Sequence, residues 1–591
     1  MRKSILYSLI FMTTISGSIY PLFFDNKIET KEINEYKINE INLNLYSNEN
    51  SEETNSYFNM GVSRIEIMIS SNFENKIEKL KNYLFNLYKE QIPIFYGEKT
   101  KILSIAKLEK INNDDLLNKI IAFFKNEKIA INQIYDFKSK KTYDNLVLDI
   151  NKEIFKNQIH QNTSNWTNYF DQNFSFINNN FQFESIGLSK DILLNHWRKY
   201  NNEEVFVGIL ESGGVINTSY EAFKWGINNK KEIYYRNHWL FRESFSDHAD
   251  KVAEIIIGDK FGINKTANLI SVQLLLWNGL SGEMEYLLNK TSIINHSWGL
   301  KKEHIYKNYN WISEYFDFFI KNNPELINIV ASGNYYDDLE NPIKEIDSNA
   351  LSKNSIVIGS FNSITKQKYD YSQIGNNKNY ITTVAPGKFV FEKTKNKDWK
   401  EKNKTGTSYS APVITGMASM LKQSHKEKFA EGPDSIIFKT ALLVGSEPIK
   451  NQTELISNEV GAGIPNYNKV SRAIENTVIY KINSNKESYF TIKLKKGQKI
   501  RAGISYLLDS SENVDTNIDL EFWYYNENLR ENQDMLENES NYTNFNIELI
   551  ESDIHEDGEY YFKIIPLKRK NNKEVQVAFS YLIEENSNEE N

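Results

Sequence analysis

Short apolar runs alternate with helix-like stretches between residues 190 and 475. The runs are rich in Ile and Val and do not alternate with polar residues, a pattern typical of parallel strands covered on both faces. We therefore predict an α/β domain with a parallel sheet over 190–475. Its strands are expected at Val205–Leu210, Leu269–Leu276, Ser292–Asn295, Leu326–Val330, Ser355–Ile358 and Tyr380–Val384.

Two regions of different pattern flank this domain. Residues 60–137 follow the order strand, helix, strand, helix, strand, which predicts a small α+β domain. Residues 479–585 show strand alternation interrupted by turns and no convincing helix, which predicts a β-sandwich. Residues 138–189 lack a clear period, and we treat them as a connector.

The amino terminus has the pattern of an export signal. Met1 to Lys3 is basic, Ile5 to Tyr20 is mostly apolar, and Ser16 and Ser18 have the spacing of a cleavage site. We predict a signal peptide over 1–18, with an uncleaved membrane anchor as the alternative. Both interpretations place the rest of the chain outside the cytoplasm, either secreted or at the cell surface.

Composition narrows the classes of function. The chain has 591 residues, no cysteine and a formal net charge of -8. The absence of cysteine excludes disulfides, cysteine nucleophiles and thiolate zinc sites. The negative net charge gives no field that would attract nucleic acid, so we expect no nucleic-acid partner.

The strongest chemical signal is the segment from Gly406 to Pro412, GTSYSAP, which precedes a helical stretch. Pro412 is accepted in a first helical turn, so Ser408 is expected at a helix amino terminus. Backbone N–H groups and the helix dipole favour negative charge there, as an acyl-transfer nucleophile requires. Taken alone, Ser408 could equally be a helix cap.

A nucleophilic serine needs a base and an orienting acid. His248 precedes an apolar stripe that predicts a buried helix, and Glu211 ends the strand that begins at Val205. Carboxyl ends of buried strands are where open α/β sheets place their sites. Each of these residues also has a purely structural alternative. Asp247 and Asp250 are fallback acids, although both stand close to His248 in sequence.

A further signal is the segment IVASGN, in which a buried strand ends in Gly333-Asn334. An Asn side chain can donate a hydrogen bond to an oxyanion, and a Gly lets a substrate approach the backbone. Taken alone, Gly-Asn is a common turn.

Together, an acid, a His, an Asn and a Ser in this order, each at a strand end or a helix start, resemble the subtilisin-like (S8) serine peptidases. The similarity extends over about 195–475 and includes the segments VFVGILESGG, HADKVAEIIIG, NHSWG, IVASGN, VAPG and GTSYSAP. The chain departs from the family pattern in two places. Glu211 stands where the family has Asp, and Ala-Asp replaces Gly-Thr after His248.

The resemblance implies a serine endopeptidase that acts on protein substrates through an acyl-enzyme. It implies that Ser408 is the nucleophile, His248 the base and Glu211 the orienting acid, with Asn334 and the Ser408 N–H in the oxyanion hole. Substrate-binding roles are implied for Ser297, Trp298, Gly299 and Gly333. No cofactor or metal is required; structural calcium is common in the family, although the sequence has no evident ligand loop.

The flanking regions fit the same family. Residues 60–137 resemble its ferredoxin-like propeptide, and 479–585 resemble β-sandwich domains that follow bacterial peptidase domains. A cysteine-free, Asn- and Lys-rich exported chain of this kind resembles the subtilisin-like proteases of mycoplasmas. Some of these cleave immunoglobulin heavy chains together with an immunoglobulin-binding partner protein, which makes immunoglobulin a candidate substrate.

Two other functions stay open at this point. The first is a catalytically inactive binding protein that keeps the subtilisin fold. In that case the replacement of Asp by Glu211 would reflect the loss of catalytic activity. The second is an acid peptidase with a Ser-Glu-Asp centre, against which the presence of His248 and Asn334 argues.

Overall fold

The computed structural model describes most of the chain, and the statements below concern that part. The predicted signal peptide at 1–18 and residues 138–179 of the predicted connector lie outside it. The described residues are 37–39, 64–69, 73–90, 92, 94–106, 111–137, 180–218, 220–223, 231–234, 245–259, 262–274, 280–299, 308–335, 344–376, 380–393, 400–430, 432–483, 486–509, 516–525, 534–542, 544–569 and 573–585.

A mostly parallel sheet forms the centre of the molecule. Its strand order is β12-β11-β10-β9-β6-β8-β7, with β13 paired in parallel to β11 beside the short antiparallel β12. The strands are β6 (Phe206–Glu211), β7 (Lys231–Tyr234), β8 (Asn268–Gln273), β9 (Ile293–His296), β10 (Ile327–Ala331), β11 (Ile356–Asn362), β12 (Gln367–Lys368) and β13 (Thr383–Pro386).

The burial of these strands explains their sequence pattern. Every residue of β9, β10 and β13 is buried, so both faces of the sheet are covered there. For this reason polar and apolar residues do not alternate along these strands. The six strands predicted in this region are present within a few residues of their expected bounds, which confirms the α/β interpretation.

Helices cover the sheet. They are α3 (Asn180–Glu184), α4 (Lys190–Tyr200), α5 (Asp247–Ile257), α6 (Ser281–Leu288), α7 (Trp311–Asn322), α8 (Thr407–Ser424), α9 (Lys426–Ala430), α10 (Asp434–Val444) and α11 (Tyr467–Glu475). Helix α8 contacts β9, β10, β11 and β13 and packs against α5. Gly416 permits α8 to pack closely against the loop that follows α5, because a methyl group there would lie 2.8 Å from Ile263 Cβ.

A hairpin that the sequence pattern did not predict leads into α8. Its strands are β14 (Lys388–Lys393) and β15 (Lys400–Thr405), which pair antiparallel. Another short pair, β16 (Ser446–Glu447) and β17 (Ile464–Pro465), lies between α10 and α11.

The amino-terminal region forms a five-stranded sheet in the order β1-β5-β2-β4-β3. Its elements are β1 (Lys37–Asn39), β2 (Arg64–Ile69), α1 (Ile77–Tyr88), β3 (Ile94–Tyr96), β4 (Ile102–Ala106), α2 (Asn113–Asn126) and β5 (Ile131–Phe137). The predicted strands and helices are present, and Asn112 caps α2 through its side chain. β1 and β3 were not predicted.

Both faces of β2, the middle strand of this small sheet, are buried. Ile65, Ile67 and Ile69 pack with α1 and α2 in one core, whereas Met68 belongs to the core of the central domain. Glu66, also on the second face, accepts a hydrogen bond from Tyr315 of α7. The carboxylate of Glu285 on α6 accepts the backbone N–H groups of residues 99 and 100. The amino-terminal sheet is therefore docked against α6 and α7.

The carboxyl-terminal region consists of two four-stranded antiparallel sheets, ordered β18-β25-β20-β23 and β19-β24-β21-β22. Side chains of both sheets share one hydrophobic core, in which Phe579 contacts Phe490 and Phe562. The strands are β18 (Val478–Ile482), β19 (Ser488–Leu494), β20 (Gln498–Tyr506), β21 (Asn517–Tyr525), β22 (Met535–Ser540), β23 (Ile547–Asp553), β24 (Gly558–Lys568) and β25 (Val575–Glu585). Across all described residues, none of the helices combines the length and apolarity needed to span a bilayer.

Candidate active site

Glu211 and His248 meet at the carboxyl edge of the central sheet. Glu211 is the last residue of β6 and is 1% exposed, and β6 lies between β8 and β9. His248 is the second residue of α5, which Ser246 caps through its side chain. The distance from His248 Nδ1 to Glu211 Oε2 is 3.0 Å, within hydrogen-bonding range. Nδ1–H therefore donates to the carboxylate, which leaves Nε2 as the acceptor nitrogen.

The carboxylate changes the acidity of the imidazole. Burial alone would lower the pKa of His248, but the charge and the hydrogen bond of Glu211 outweigh burial and raise that pKa above its ordinary value. The cations Lys404 and Lys251 oppose this increase. Glu211 thus favours a protonated His248, as an orienting acid should once the base has accepted a proton.

The two fallback acids are engaged elsewhere. Asp247 forms an ion pair with Lys251, one turn along α5. Asp250 accepts the backbone N–H of Asn217 at 2.7 Å, and burial raises its pKa to about 6. Among the described residues, Glu211 is the acid that hydrogen-bonds the imidazole of His248.

Ser408 lies in the first turn of α8, and the adjacent residue Tyr409 is close to His248. The ring of Tyr409 is 5.7 Å from the imidazole, measured between ring centroids, so the start of α8 faces the start of α5. Ser408 is half-buried, and its hydroxyl forms no hydrogen bond with the residues that the structure describes. Gly406 N–H donates to the carbonyl of Gly387 at 3.0 Å, which ties this turn to the VAPG segment.

Asn334 is attached to the same turn. Its Oδ1 accepts the backbone N–H of Thr407 at 2.9 Å and lies 3.2 Å from the Thr407 hydroxyl. The acceptor end of the amide is therefore fixed, while Nδ2 has no partner among the described residues. A donor oriented in this way, beside a helix amino terminus, suits the binding of a developing negative charge.

Gly333 has a structural requirement that the sequence did not reveal. Its φ is +108°, and a side chain there would collide with Gln373, whose Oε1 would lie 1.6 Å from the added carbon. Its N–H donates to Thr407 Oγ1 at 3.2 Å. Sequence reasoning assigned no role to Thr407 or Gln373; Thr407 at least stands inside the GTSYSAP segment.

The predicted substrate-binding segment at 297–299 is largely internal. Ser297 is 2% exposed and its hydroxyl donates to the carbonyl of Ser408 at 2.8 Å. Trp298 is 5% exposed and packs against Phe316, so its indole is part of the core. A methyl group at Gly299 would meet no atom within 4 Å, so the chain is open at that position.

Pro412 differs from its expected position. Since α8 begins at Thr407, Pro412 is the sixth helical residue and lies in the second turn, not the first.

The described residues contain no group of three or more His, Asp or Glu side chains placed to hold a metal ion. The structural calcium that the resemblance allows stays a prediction.

Comparisons with known proteins show which family the central domain resembles. Residues 202–463 match the model of the Peptidase_S8 subtilase family. No curated protein matches the chain at a significant level. The central domain is therefore similar to the subtilases in sequence, and it has the α/β fold with a parallel sheet described above. This similarity supports a serine endopeptidase, an enzyme that acts on proteins.

Solved structures with similarity to the chain include three proteases. Fervidolysin from Fervidobacterium pennivorans, a keratinolytic enzyme related to subtilisin, is 12% identical, with a TM-score of 0.43 and coverage of 96% of this chain and 79% of that one. The serine protease of Aeromonas sobria is 13% identical, with a TM-score of 0.39 and coverage of 71% and 96%. The prenylagaramide maturation protease PagA is 21% identical, with a TM-score of 0.37 and coverage of 48% and 98%.

Replacing Glu211 tests the electrostatic role of the carboxylate. In Glu211→Gln the pKa of His248 should fall below its value in the unaltered protein, because the negative charge that favours imidazolium is lost. Titration of ¹⁵N-histidine-labelled protein by NMR, with His248→Gln to assign the signal, measures this pKa. An unchanged His248 pKa would show that Glu211 does not control the imidazole.

Proposed function

We propose that Ser408, His248 and Glu211 form the catalytic triad of this endopeptidase. The observation that carries the proposal is the 3.0 Å hydrogen bond from His248 to Glu211, beside the helix turn that bears Ser408. The extra methylene of Glu211 relative to Asp does not prevent that contact. The arrangement of a hydroxyl, an imidazole and a buried carboxylate is that of a serine hydrolase.

The proposed reaction has two stages. In the first, Ser408 Oγ attacks the substrate carbonyl while His248 Nε2 takes the hydroxyl proton, which His248 then gives to the leaving amine. In the second, His248 removes a proton from water, which attacks the acyl-enzyme, and then returns this proton to Ser408. Glu211 stabilises the imidazolium in both stages. Asn334 Nδ2 and the Ser408 N–H bind the oxyanion.

We assign the flanking regions to supporting roles. The five-stranded sheet docked on α6 and α7 supports the interpretation of 60–137 as a ferredoxin-like propeptide domain. The shared core of the two carboxyl-terminal sheets supports a β-sandwich over 479–585. The signal pattern at 1–18 supports export, either with release or with retention as a membrane anchor.

A fluorophosphonate probe tests the nucleophile. The unaltered protein should be labelled at Ser408, because the probe reacts with a serine hydroxyl that a neighbouring base activates. Ser408→Ala should not be labelled, and Ser410→Ala, which removes a nearby hydroxyl of the same turn, serves as the matched control. Mass spectrometry of the labelled peptide locates the adduct. A correctly folded protein that takes up no probe would instead support an inactive binding protein with this fold.

Two substitutions of Asn334 separate its anchoring role from oxyanion binding. Asn334→Asp keeps an oxygen that can accept the Thr407 N–H but removes the donor, whereas Asn334→Ala removes both. In enzymes of this class, loss of one oxyanion donor lowers kcat by roughly 100-fold or more. We expect a loss of at least that size in both variants, measured with a fluorogenic peptide. Near-normal kcat in Asn334→Asp would limit Asn334 to anchoring the turn.

We propose immunoglobulin heavy chain as the substrate, on the resemblance to mycoplasma proteases alone. Purified IgG, free and bound to an immunoglobulin-binding protein, should give heavy-chain fragments with the unaltered protein and none with Ser408→Ala. Electrophoresis under reducing conditions reports the cleavage. Intact heavy chains alongside digestion of casein would reject this substrate and leave the peptidase activity standing.

A further inference from the structure

The backbone carbonyl of Ser408 lacks its normal helical partner. In an α-helix the carbonyl of residue i accepts the N–H of residue i+4, and here residue i+4 is Pro412. Proline has no N–H, and its ring crowds the carbonyl four residues earlier. The carbonyl of the proposed nucleophile therefore cannot accept the regular i+4 hydrogen bond of the helix.

Ser297 supplies the missing donor from a neighbouring strand. It follows β9 directly, and its hydroxyl donates to the Ser408 carbonyl at 2.8 Å. Asn295 Nδ2 donates to the same hydroxyl oxygen at 2.9 Å, which leaves the hydroxyl hydrogen free to point at Ser408. Asn295 is fully buried, and its Oδ1 accepts from Thr415 of α8 at 3.0 Å. Hydrogen bonds thus link the end of β9 to α8 at two points.

We propose that Ser297 is a positioning residue for Ser408, and that its hydroxyl replaces the backbone donor removed by Pro412. The hydrogen bond fixes the peptide plane between Ser408 and Tyr409 and so sets the direction in which the Ser408 side chain leaves the backbone. This inference rests on the proposed role of Ser408 as nucleophile. It gives the side chain of Ser297 a role distinct from any contact that its backbone makes with a substrate.

The variant Ser297→Ala tests the inference through the reactivity of Ser408. Because the hydroxyl touches the backbone of the nucleophile and not the substrate, its loss should lower kcat and leave KM nearly unchanged. We expect roughly a tenfold fall in kcat and in the rate constant of fluorophosphonate labelling, the size of one lost hydrogen bond. Ser446→Ala is the matched control, because the buried Ser446 hydroxyl also donates to a helix carbonyl, that of Leu442, at 2.6 Å. This control should label at the normal rate.

A second substitution provides a specific rescue. Pro412→Ala restores an N–H four residues after Ser408, so the double variant Ser297→Ala/Pro412→Ala should label within about threefold of the unaltered protein. A merely structural role of Ser297 in core packing would give no such recovery. If Ser297→Ala does not fold, as judged by thermal unfolding, Ser297→Cys replaces it, with a similar shape and a weaker donor.

The outcomes are distinct. Normal labelling of a folded Ser297→Ala, or a double variant no faster than the single one, would overturn the positioning role and leave the proposed function intact. Absence of labelling in the unaltered protein would overturn the proposed function and this inference with it. Slow labelling in Ser297→Ala with recovery in the double variant supports both.

Discussion

The site depends on how one helix turn is held at the carboxyl edge of the parallel sheet. Three hydrogen bonds hold the turn that carries Ser408. Thr407 N–H donates to Asn334 Oδ1, and Gly406 N–H donates to the carbonyl of Gly387. The carbonyl of Ser408 accepts the hydroxyl of Ser297. Each of these partners follows a different buried strand. Parallel strands deliver their carboxyl ends to one edge, so residues far apart in the chain converge on a single turn.

The same edge explains the pairing of Glu211 and His248. Glu211 ends a strand with neighbours on both sides, so its carboxylate is buried and its position is determined by the sheet. Its Oε1 is buried without a hydrogen-bond partner among the described residues, whereas Oε2 bonds His248. A buried acceptor left unpaired costs on the order of 1–3 kcal/mol. Destabilising features such as this unpaired oxygen are typical of functional sites.

The sequence predicted those parts of the fold that long apolar runs encode. The buried strands of the central sheet are continuous apolar runs, and the helices that carry His248 and Ser408 have apolar residues at helical spacing. The edge strand Ile94–Tyr96 and the hairpin before α8 were missed, because they are short or depend on neighbours distant in sequence. The strand propensity of a short segment says little about which distant strand that segment will pair with.

The contacts that each side chain makes at the site were harder to predict than which residues lie there. Glu211, His248, Asn334 and Ser408 could be nominated from residue type and position. The need for glycine at 333 could not be foreseen, because it arises from a φ of +108°, which only the tertiary structure determines. The contact of the Ser297 hydroxyl with the Ser408 carbonyl was likewise not foreseen, because the two residues are far apart in the sequence.

The central claim is that these side chains form one acyl-transfer centre, and a crystal structure of the protein with a peptide boronic acid tests it most directly. The account predicts a tetrahedral boronate bonded to Ser408 Oγ, with one oxygen at about 3 Å from both Asn334 Nδ2 and the Ser408 N–H, and with His248 still bonded to Glu211. A boronate attached to another residue, or an oxygen directed away from Asn334 in a folded and inhibited protein, would contradict it.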